Sequence, residues 1–353
     1  MRDKKTKEVK IGNVSIGGGN PIAIQSMLNC DPCDPDSNLE QIDSLYKEGC
    51  EIIRVSVPNR ACINSFKTIC KKSPIPVVAD IHFSPSLAME AIEAGACKIR
   101  INPGNLGGLD KCIDIINLAK QYGVAIRIGV NAGSLDEKLK SREDISLSQK
   151  LFLSAKEYIE FFSLKNFDNI VVSAKAHDVK TTVETYRLIY KNFPNVPLHL
   201  GITEAGTKTQ GIIKSSAGLG ILLNEGIGDT IRISLTASPV EEVRVAKTLL
   251  NVLGIRRSGV EIISCPTCGR TKVDLISIAN KIERSLTNLS CSIKVAVMGC
   301  VVNGPGEAEG ADIGVACGLG EGSIFINGKI IKKVSEDEIV DTLLKEINLR
   351  WNK

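Results

Sequence analysis

A TIM-type (β/α)8 barrel followed by a small α/β domain is the fold class that this sequence predicts. Three observations carry it. The chain has 353 residues, enough for one large α/β domain and a smaller companion. Residues 1–255 alternate short β-branched runs with amphipathic helical stretches in eight units, the count and size of a barrel. After Gly254 that rhythm stops, and a region rich in glycine and cysteine begins. A doubly wound sheet would not need so many regular strand–helix units in a row.

In order along the chain, strands are expected near Ile22–Ser26, Ile52–Val57, Val77–Asp80, Lys98–Asn102 and Ala125–Gly129. Three more are expected near Asn169–Ser173, Pro197–Leu200 and Thr230–Ser234. Helical patterns lie between them, such as Pro85–Ala94, Ser148–Phe162, Thr181–Lys191 and Pro239–Leu250. Pro85 and Pro239 suit first helical turns, and Gly95 suits a helix stop. The segment 254–259 (GIRRSG) reads as a linker, which divides the chain into 1–255 and 256–353. The second part should hold a strand at Val260–Ile263, a helix at Lys272–Leu286 and a strand at Ile293–Met298. A glycine-rich stretch from Gly299 to Gly322, a hairpin at Asn327-Gly328 and a closing helix from Ser335 to Asn348 complete it.

Composition narrows the function. Hydrophobic residues are 43% and charged residues 24%, ordinary for a globular protein and unlike a disordered one. Aromatic content is 4%, with one Trp, which argues against a stacking platform for single-stranded nucleic acid. A net charge of +4 points to no polyanion partner. No apolar run approaches the ~20 residues of a membrane helix, and the charged start has no signal core behind it. The cytoplasm is therefore the expected compartment. Twelve cysteines do not read as a disulfide framework, and Cys50, Cys62, Cys70, Cys97 and Cys112 look like small buried hydrophobes.

Barrel chemistry collects at the C-terminal ends of the strands. Arg54, Arg100, Arg127 and Arg232 each interrupt an otherwise apolar β run, and Lys175 follows the sixth strand. Any one such arginine is better read as pairing outward with a helix carboxylate. Four at corresponding positions are better read as one cationic mouth, and guanidinium forks suit phosphate. Asn102, Asn131 and Ser234 add neutral donors and acceptors beside them. Asp80 and Glu204 are the carboxylates of the ring, with His82 and His199 nearby. Either carboxylate could hold a ligand hydroxyl or transfer a proton, and Glu204 ranks above both histidines, because a strong helix former has no propensity reason to sit in a loop between Gly201 and Gly206.

The sharpest chemical signal is Cys265-Pro-Thr-Cys268 with Cys300 31 residues later. Three such thiolates suit a soft metal or an iron–sulfur cluster. A thioredoxin-like pair would not require Cys300, and structural zinc would want a fourth Cys or His. No His follows His199, so Cys291, Cys317, Glu307 and Glu309 are the candidates for a fourth ligand.

These motifs closely resemble those of the bacterial hydroxymethylbutenyl diphosphate synthase family (IspG, also called GcpE). The resemblance runs nearly end to end. It is strongest in VVADIHF (77–83), RINPGN (100–105), RIGVNAGSL (127–135), PLHLGITEAG (197–206) and GIGDTIRISLT (226–236), then in CPTCGR (265–270) and VAVMGCVVNGPGEAEGADIG (295–314). It implies a sulfite-reductase-like second domain holding a [4Fe–4S] cluster on Cys265, Cys268, Cys300 and Glu307. It implies reductive ring opening of 2-C-methyl-D-erythritol 2,4-cyclodiphosphate in the non-mevalonate (MEP) isoprenoid pathway, with electrons from flavodoxin or ferredoxin. In that family Glu307 would yield its place as a substrate oxygen reaches the unique iron. By position, Arg54, Arg100, Arg127, Asn131, Lys175, Arg232 and Ser234 would grip the diphosphate. Asp80 and His82 would line the mouth, and Glu204 would serve as proton donor. The family also implies a homodimer in which the cluster domain of one chain caps the barrel of the other. Two departures stand out: Leu28-Asn29-Cys30-Asp31-Pro32-Cys33 replaces a threonine-rich loop, and His177-Asp178 replaces the usual Ser-Asp.

Two other readings compete with this one. A pterin- or corrinoid-type barrel transferase or lyase would leave the three thiolates without a redox role. An iron–sulfur carrier or sensor would have no use for the four arginines.

Overall fold

The computed structural model describes residues 6–257, 259–286, 289, 291–300 and 308–351. Two compact units divide the chain, Met1–Leu249 and Leu250–Lys353.

The first unit opens with a hairpin, β1 (Val9–Ile11) and β2 (Val14–Ile16), joined through Gly12-Asn13. Eight parallel strands follow. They are β3 (Ala23–Met27), β4 (Ile52–Ser56), β5 (Val77–Asp80), β6 (Lys98–Ile101), β7 (Ala125–Asn131), β8 (Ile170–Lys175), β9 (His199–Leu200) and β10 (Thr230–Ile231). Each pairs with the next, β10 returns to β3, and a parallel bridge from Val172 to Leu198 joins β8 to β9 and closes the ring. The helices outside are α1 (Pro35–Glu48), α2 (Ile63–Lys72), α3 (Pro85–Glu93), α4 (Ile113–Tyr122), the short α5 (Glu137–Lys140), α6 (Leu147–Leu164), α7 (Val179–Asn192), α8 (Lys208–Asn224) and α9 (Pro239–Val252). Local chemistry sets their ends. Asp34 and Ser84 cap α1 and α3 ahead of first-turn prolines, Ser146 and Gln149 form a capping box on α6, and Gly95 follows α3 at φ +106°.

The β1–β2 hairpin has no counterpart in the expected element order. Its strands are three residues each, too short for a periodic signal. Val9, Ile11 and Ile16 turn onto Ala23, Ile52, Val78, Ala125 and Val171, so the hairpin plugs the N-terminal end of the barrel with apolar side chains. That leaves the polar residues to the opposite end. β9 and β10 are also shorter than expected. Past Arg232, whose N–H still bonds Leu200 O at 3.0 Å, the chain leaves the ladder and the Leu235 N–H turns to Glu242 Oε1 at 2.9 Å.

The second unit is a five-stranded sheet of β11 (Val260–Ser264), β12 (Ile293–Met298), β13 (Ile313–Cys317), β14 (Glu321–Ile326) and β15 (Lys329–Ser335). β11, β12 and β13 are parallel, while β14 and β15 are antiparallel. The expected hairpin is present, with Asn327 and Gly328 both at positive φ. Helices α10 (Leu275–Leu286) and α11 (Ile339–Trp351) cover one face with Ile278, Ile282, Leu343 and Ile347. α10 starts three residues later than expected, because Asp274 accepts from Ser277 N–H at 3.1 Å and caps it. β13 lies inside the glycine-rich stretch. Gly314 is needed there, since a Cβ would come within 2.5 Å of Phe325 and 2.6 Å of Ala296 O.

The cysteine reading needs one correction. Cys62 is buried, but it is not a lone hydrophobe: it forms a disulfide with Cys33, joining the loops after β4 and β3. Cys30 is free, its thiol facing Ser37 O at 3.7 Å. Cys50 and Cys112 are buried as expected, whereas Cys70 and Cys97 are half-buried. Among the described residues, no helix is long and apolar enough to cross a membrane.

Truncating the plug tests its place in the core. Ile11→Ala is expected to cost about 2–5 kcal/mol in urea unfolding, as for other buried aliphatic truncations. An unchanged midpoint would show that the hairpin is peripheral.

Candidate functional site: a cationic barrel mouth

The interior of a (β/α)8 barrel is ordinarily packed with branched aliphatic side chains. Here the C-terminal half is not. Because side chains alternate along a strand, Lys98 and Arg100 share one face of β6, and both are buried. Arg54, Arg127 and Lys175 are buried beside them, and Arg232 is nearly so, with its side chain 17% exposed. Among the described residues, Arg54 and Arg100 pair with one buried carboxylate, Asp80, and Arg232 with another, Glu242.

Asp80 is the hub. Its carboxylate lies 3.8 Å from Arg54 Nε, 3.5 Å from Arg100 Nη1 and 3.6 Å from His82 Nε2. Burial alone would raise its pKa. Arg54, the His82 hydrogen bond, Arg100 and Arg127 outweigh burial and hold it well below the usual carboxylate range. Arg100 Nη1 also lies 3.1 Å from His82 Nε2, and Arg54 Nε points at Met27 Sδ at 3.1 Å. Glu242, on α9, takes Arg232 Nη2 at 3.4 Å.

Other nitrogens have no such partner. Arg127 Nε and Nη1, Arg100 Nε and Arg232 Nε are buried without a hydrogen-bond acceptor among the described residues. An unpaired buried cation is costly, so the pattern points to an anion that completes it. Burial first, and then the neighbouring arginines, push Lys98 and Lys175 well below the usual lysine pKa. Lys98 Nζ sits 3.3 Å from Gln25 Oε1.

Glycines make this crowding possible. A Cβ at Gly129 would lie 2.6 Å from Arg100 Nε, and one at Gly201 would lie 2.4 Å from Lys175 Nζ. The loop after β7 is tied down separately. Asn102 Nδ2 donates to Ser134 Oγ at 2.5 Å, and Ser134 donates in turn to Asn131 O at 3.0 Å. Asn102 also accepts from Gly104 N–H, so it shapes this rim and is not free for a ligand. Asn131 and Ser234 are half-buried at the ends of the β7 and β10 segments.

Two residues on the rim are strained. Phe83, after β5, and Glu204, after β9, adopt left-handed φ of 64° and 51° without being glycine. Both are exposed, Phe83 at 74%, and its ring is 5.9 Å from that of His82. Strain at loop positions on one face of a barrel marks that face as functional. Lys98, Gln25, Glu242 and Phe83 were not among the expected site residues. Lys98 was detectable, two residues before Arg100 in the same alternation.

In the second unit, Cys265 directly follows β11 and Cys300 follows β12, the neighbouring parallel strand, so both stand at one end of the sheet. Gly299 N–H donates to Cys265 Sγ at 3.2 Å. Cys268, in the exposed loop, has its pKa lowered by hydrogen bonds from Arg270 and Thr271. Amide and cationic donors to sulfur favour thiolates, which is the donor set that an iron–sulfur cluster requires. Among the described residues, no three His, Cys, Asp or Glu side chains form a closed metal cage. Glu307 lies outside the described residues, Cys317 is buried in the core beneath the sheet, and Glu309 is exposed.

Comparison with known proteins agrees with this division. Residues 6–247 match the family model described as the GcpE TIM-barrel domain, and residues 261–349 match that of the GcpE protein C-terminal domain. Curated relatives named 4-hydroxy-3-methylbut-2-en-1-yl diphosphate synthase (flavodoxin) align over nearly the whole chain. The Clostridium acetobutylicum protein is 50% identical, covering 99% of both chains. That of Caldanaerobacter subterraneus subsp. tengcongensis is 51% identical, covering 98% of this chain and 97% of its own. Among solved structures, the Yersinia pestis dihydropteroate synthase with a sulfonamide complex is similar at TM-score 0.50 and 13% identity, over 70% of this chain and 100% of its own. A truncated 3-deoxy-D-arabino-heptulosonate 7-phosphate synthase from Thermotoga maritima gives 0.50 and 15%, over 72% of this chain and 95% of its own. At those identities the likeness is one of barrel fold alone.

Removing the hub carboxylate tests the electrostatics. Asp80→Asn is expected to lower stability by about 3–5 kcal/mol at neutral pH, because it strands buried cations. Since the folded pKa of Asp80 lies below the unfolded value of about 3.9, its contribution is present above that pH and is lost only as pH falls further. A wild-type unfolding curve that lost this stability near neutrality would contradict the assignment.

Proposed function

Because the chain belongs to the GcpE family, we propose that it performs the reaction for which its relatives are named, the formation of 4-hydroxy-3-methylbut-2-enyl diphosphate. The substrate of this reading is 2-C-methyl-D-erythritol 2,4-cyclodiphosphate. Counted on the acid forms, two electrons and two protons enter, the ring carbon–oxygen bond to the diphosphate breaks, and a hydroxyl leaves as water. The observation that carries this reading is Arg127, 1% exposed and holding two guanidinium nitrogens without an acceptor.

Arg54, Arg100, Arg127, Lys175 and Arg232 would bind the diphosphate, with Asn131 and Ser234 bonding its rim-side oxygens. Ring opening leaves more negative charge on the diphosphate, and fixed buried cations stabilise such developing charge most strongly. Asp80 would keep Arg54 and Arg100 aimed at the anion, and His82 would line the mouth. Glu204, in its strained exposed turn, would meet the hydroxyl end and deliver the proton that leaves with it as water. Cys265, Cys268, Cys300 and Glu307 would hold the [4Fe–4S] cluster, which when bound supplies electrons singly. A flavodoxin, the partner in the relatives' names, or a ferredoxin would be the donor. The complete site would be shared in a homodimer, the cluster unit of one chain closing the barrel of the other. An iron–sulfur carrier or sensor is not favoured, since it gives the buried arginines nothing to bind.

Turnover of the cyclodiphosphate by the anaerobically reconstituted protein with a chemical reductant tests the reading. Arg127→Ala should raise KM by roughly 10- to 100-fold, the worth of one or two charged hydrogen bonds. An unchanged KM would place that residue outside the site. Cys300→Ser should abolish the cluster, whereas Glu307→Ala should keep iron and lose turnover. Full activity in either variant would overturn the ligand set. At cyclodiphosphate concentrations well below the raised KM, mixed dimers of Arg127→Ala with Cys300→Ser should turn over faster than either variant alone if the site is shared, and no faster if each chain works alone.

A further inference from the structure

His199 has no role in the reaction described above, yet both of its ring nitrogens and its backbone carbonyl are engaged within the barrel mouth. It is fully buried. Its Nδ1 is 2.7 Å from Thr230 Oγ1, on the strand paired with its own, and its Nε2 is 3.4 Å from Lys175 Nζ. Its backbone carbonyl accepts the Tyr186 hydroxyl at 2.6 Å, and that hydroxyl accepts from Ala174 N–H at 3.2 Å, one residue before Lys175. Two residues further along the chain, Gly201 leaves the space that the Lys175 ammonium fills.

We propose that His199 is a positioning residue, whose Nε2 lone pair accepts from the Lys175 ammonium and aims it at the bound diphosphate. The inference rests on the reading of the barrel mouth as a diphosphate site. An ammonium can only donate, so with an anion seated and Lys175 charged, Nε2 must carry the lone pair and Nδ1 the proton. Thr230 Oγ1 is placed to accept that proton. The imidazole is kept neutral by its burial and then by Arg127, Lys175, Lys98 and Arg54, the charged groups facing it from β7, β8, β6 and β4. A neutral acceptor is the one partner that can orient a lysine here without cancelling its charge.

The test is pyrophosphate binding by the full-length protein, followed by calorimetry, with the cyclodiphosphate KM measured in parallel. His199→Ala should weaken pyrophosphate binding about tenfold or more and raise KM with a smaller change in kcat. His199→Gln, which keeps an acceptor, should recover most of that loss. In a Lys175→Met background, His199→Ala should cost nothing further, because its effect passes through the lysine. Equal losses with and without Lys175 would show a merely structural role and overturn the proposal. The chain has three histidines, so nitrogen-15 spectra of the wild-type protein give an independent readout. A pyrophosphate-bound His199 protonated on Nδ1 alone supports the proposal, and one protonated on Nε2 overturns it. Wild-type protein that binds no pyrophosphate would instead defeat the diphosphate-site reading itself.

Discussion

Burying guanidinium groups with too few carboxylates is the constraint around which this barrel is arranged. Six basic side chains crowd one end of it, and Asp80 and Glu242 answer only part of their charge. Water cannot relieve the rest, because Arg127 and Lys98 are sealed from it. The fold copes in three ways: Asp80 is shared among three partners, the lysines have depressed proton affinity, and His199 stays neutral. The remaining charge is what a dianionic ligand would meet.

The rest of the architecture follows from that end. Apolar packing is displaced downward, to the floor formed by Val9, Ile11 and Ile16, so the β1–β2 hairpin supplies what the barrel interior gives up. Glycines replace side chains at Gly129 and Gly201, where basic groups cross the barrel. Rim loops are fixed by their own hydrogen bonds, and the Cys33–Cys62 disulfide joins two of them. Phe83 and Glu204 store backbone strain on the same rim.

Much of this was legible in the sequence, for a physical reason. A charged residue inside an apolar β run is anomalous, yet alone it reads as pairing outward with a helix carboxylate, so Arg54, Arg100, Arg127 and Arg232 were legible only together, as four at corresponding strand positions. The cysteine spacing stands out because few side chains besides metal ligands need a CxxC with a remote third thiol, and the cluster it would hold belongs to the proposed function. Residues that look ordinary where they stand were not readable. Glu242 lies on a helix where carboxylates are common, and only the fold turns it toward Arg232. Cys62 pairs with a cysteine 29 positions away, a distance that no local pattern encodes. β13 hides among glycines whose reason, close packing at Gly314, is tertiary.

The proposed reaction needs both the cationic mouth of the first unit and a cluster on the cysteines of the second, and a single spectrum tests whether the two work on one substrate. Electron paramagnetic resonance on anaerobically reconstituted, reduced protein should show a cluster signal that changes when the cyclodiphosphate is added. A cluster signal indifferent to the cyclodiphosphate, in protein shown to bind it, would contradict the account.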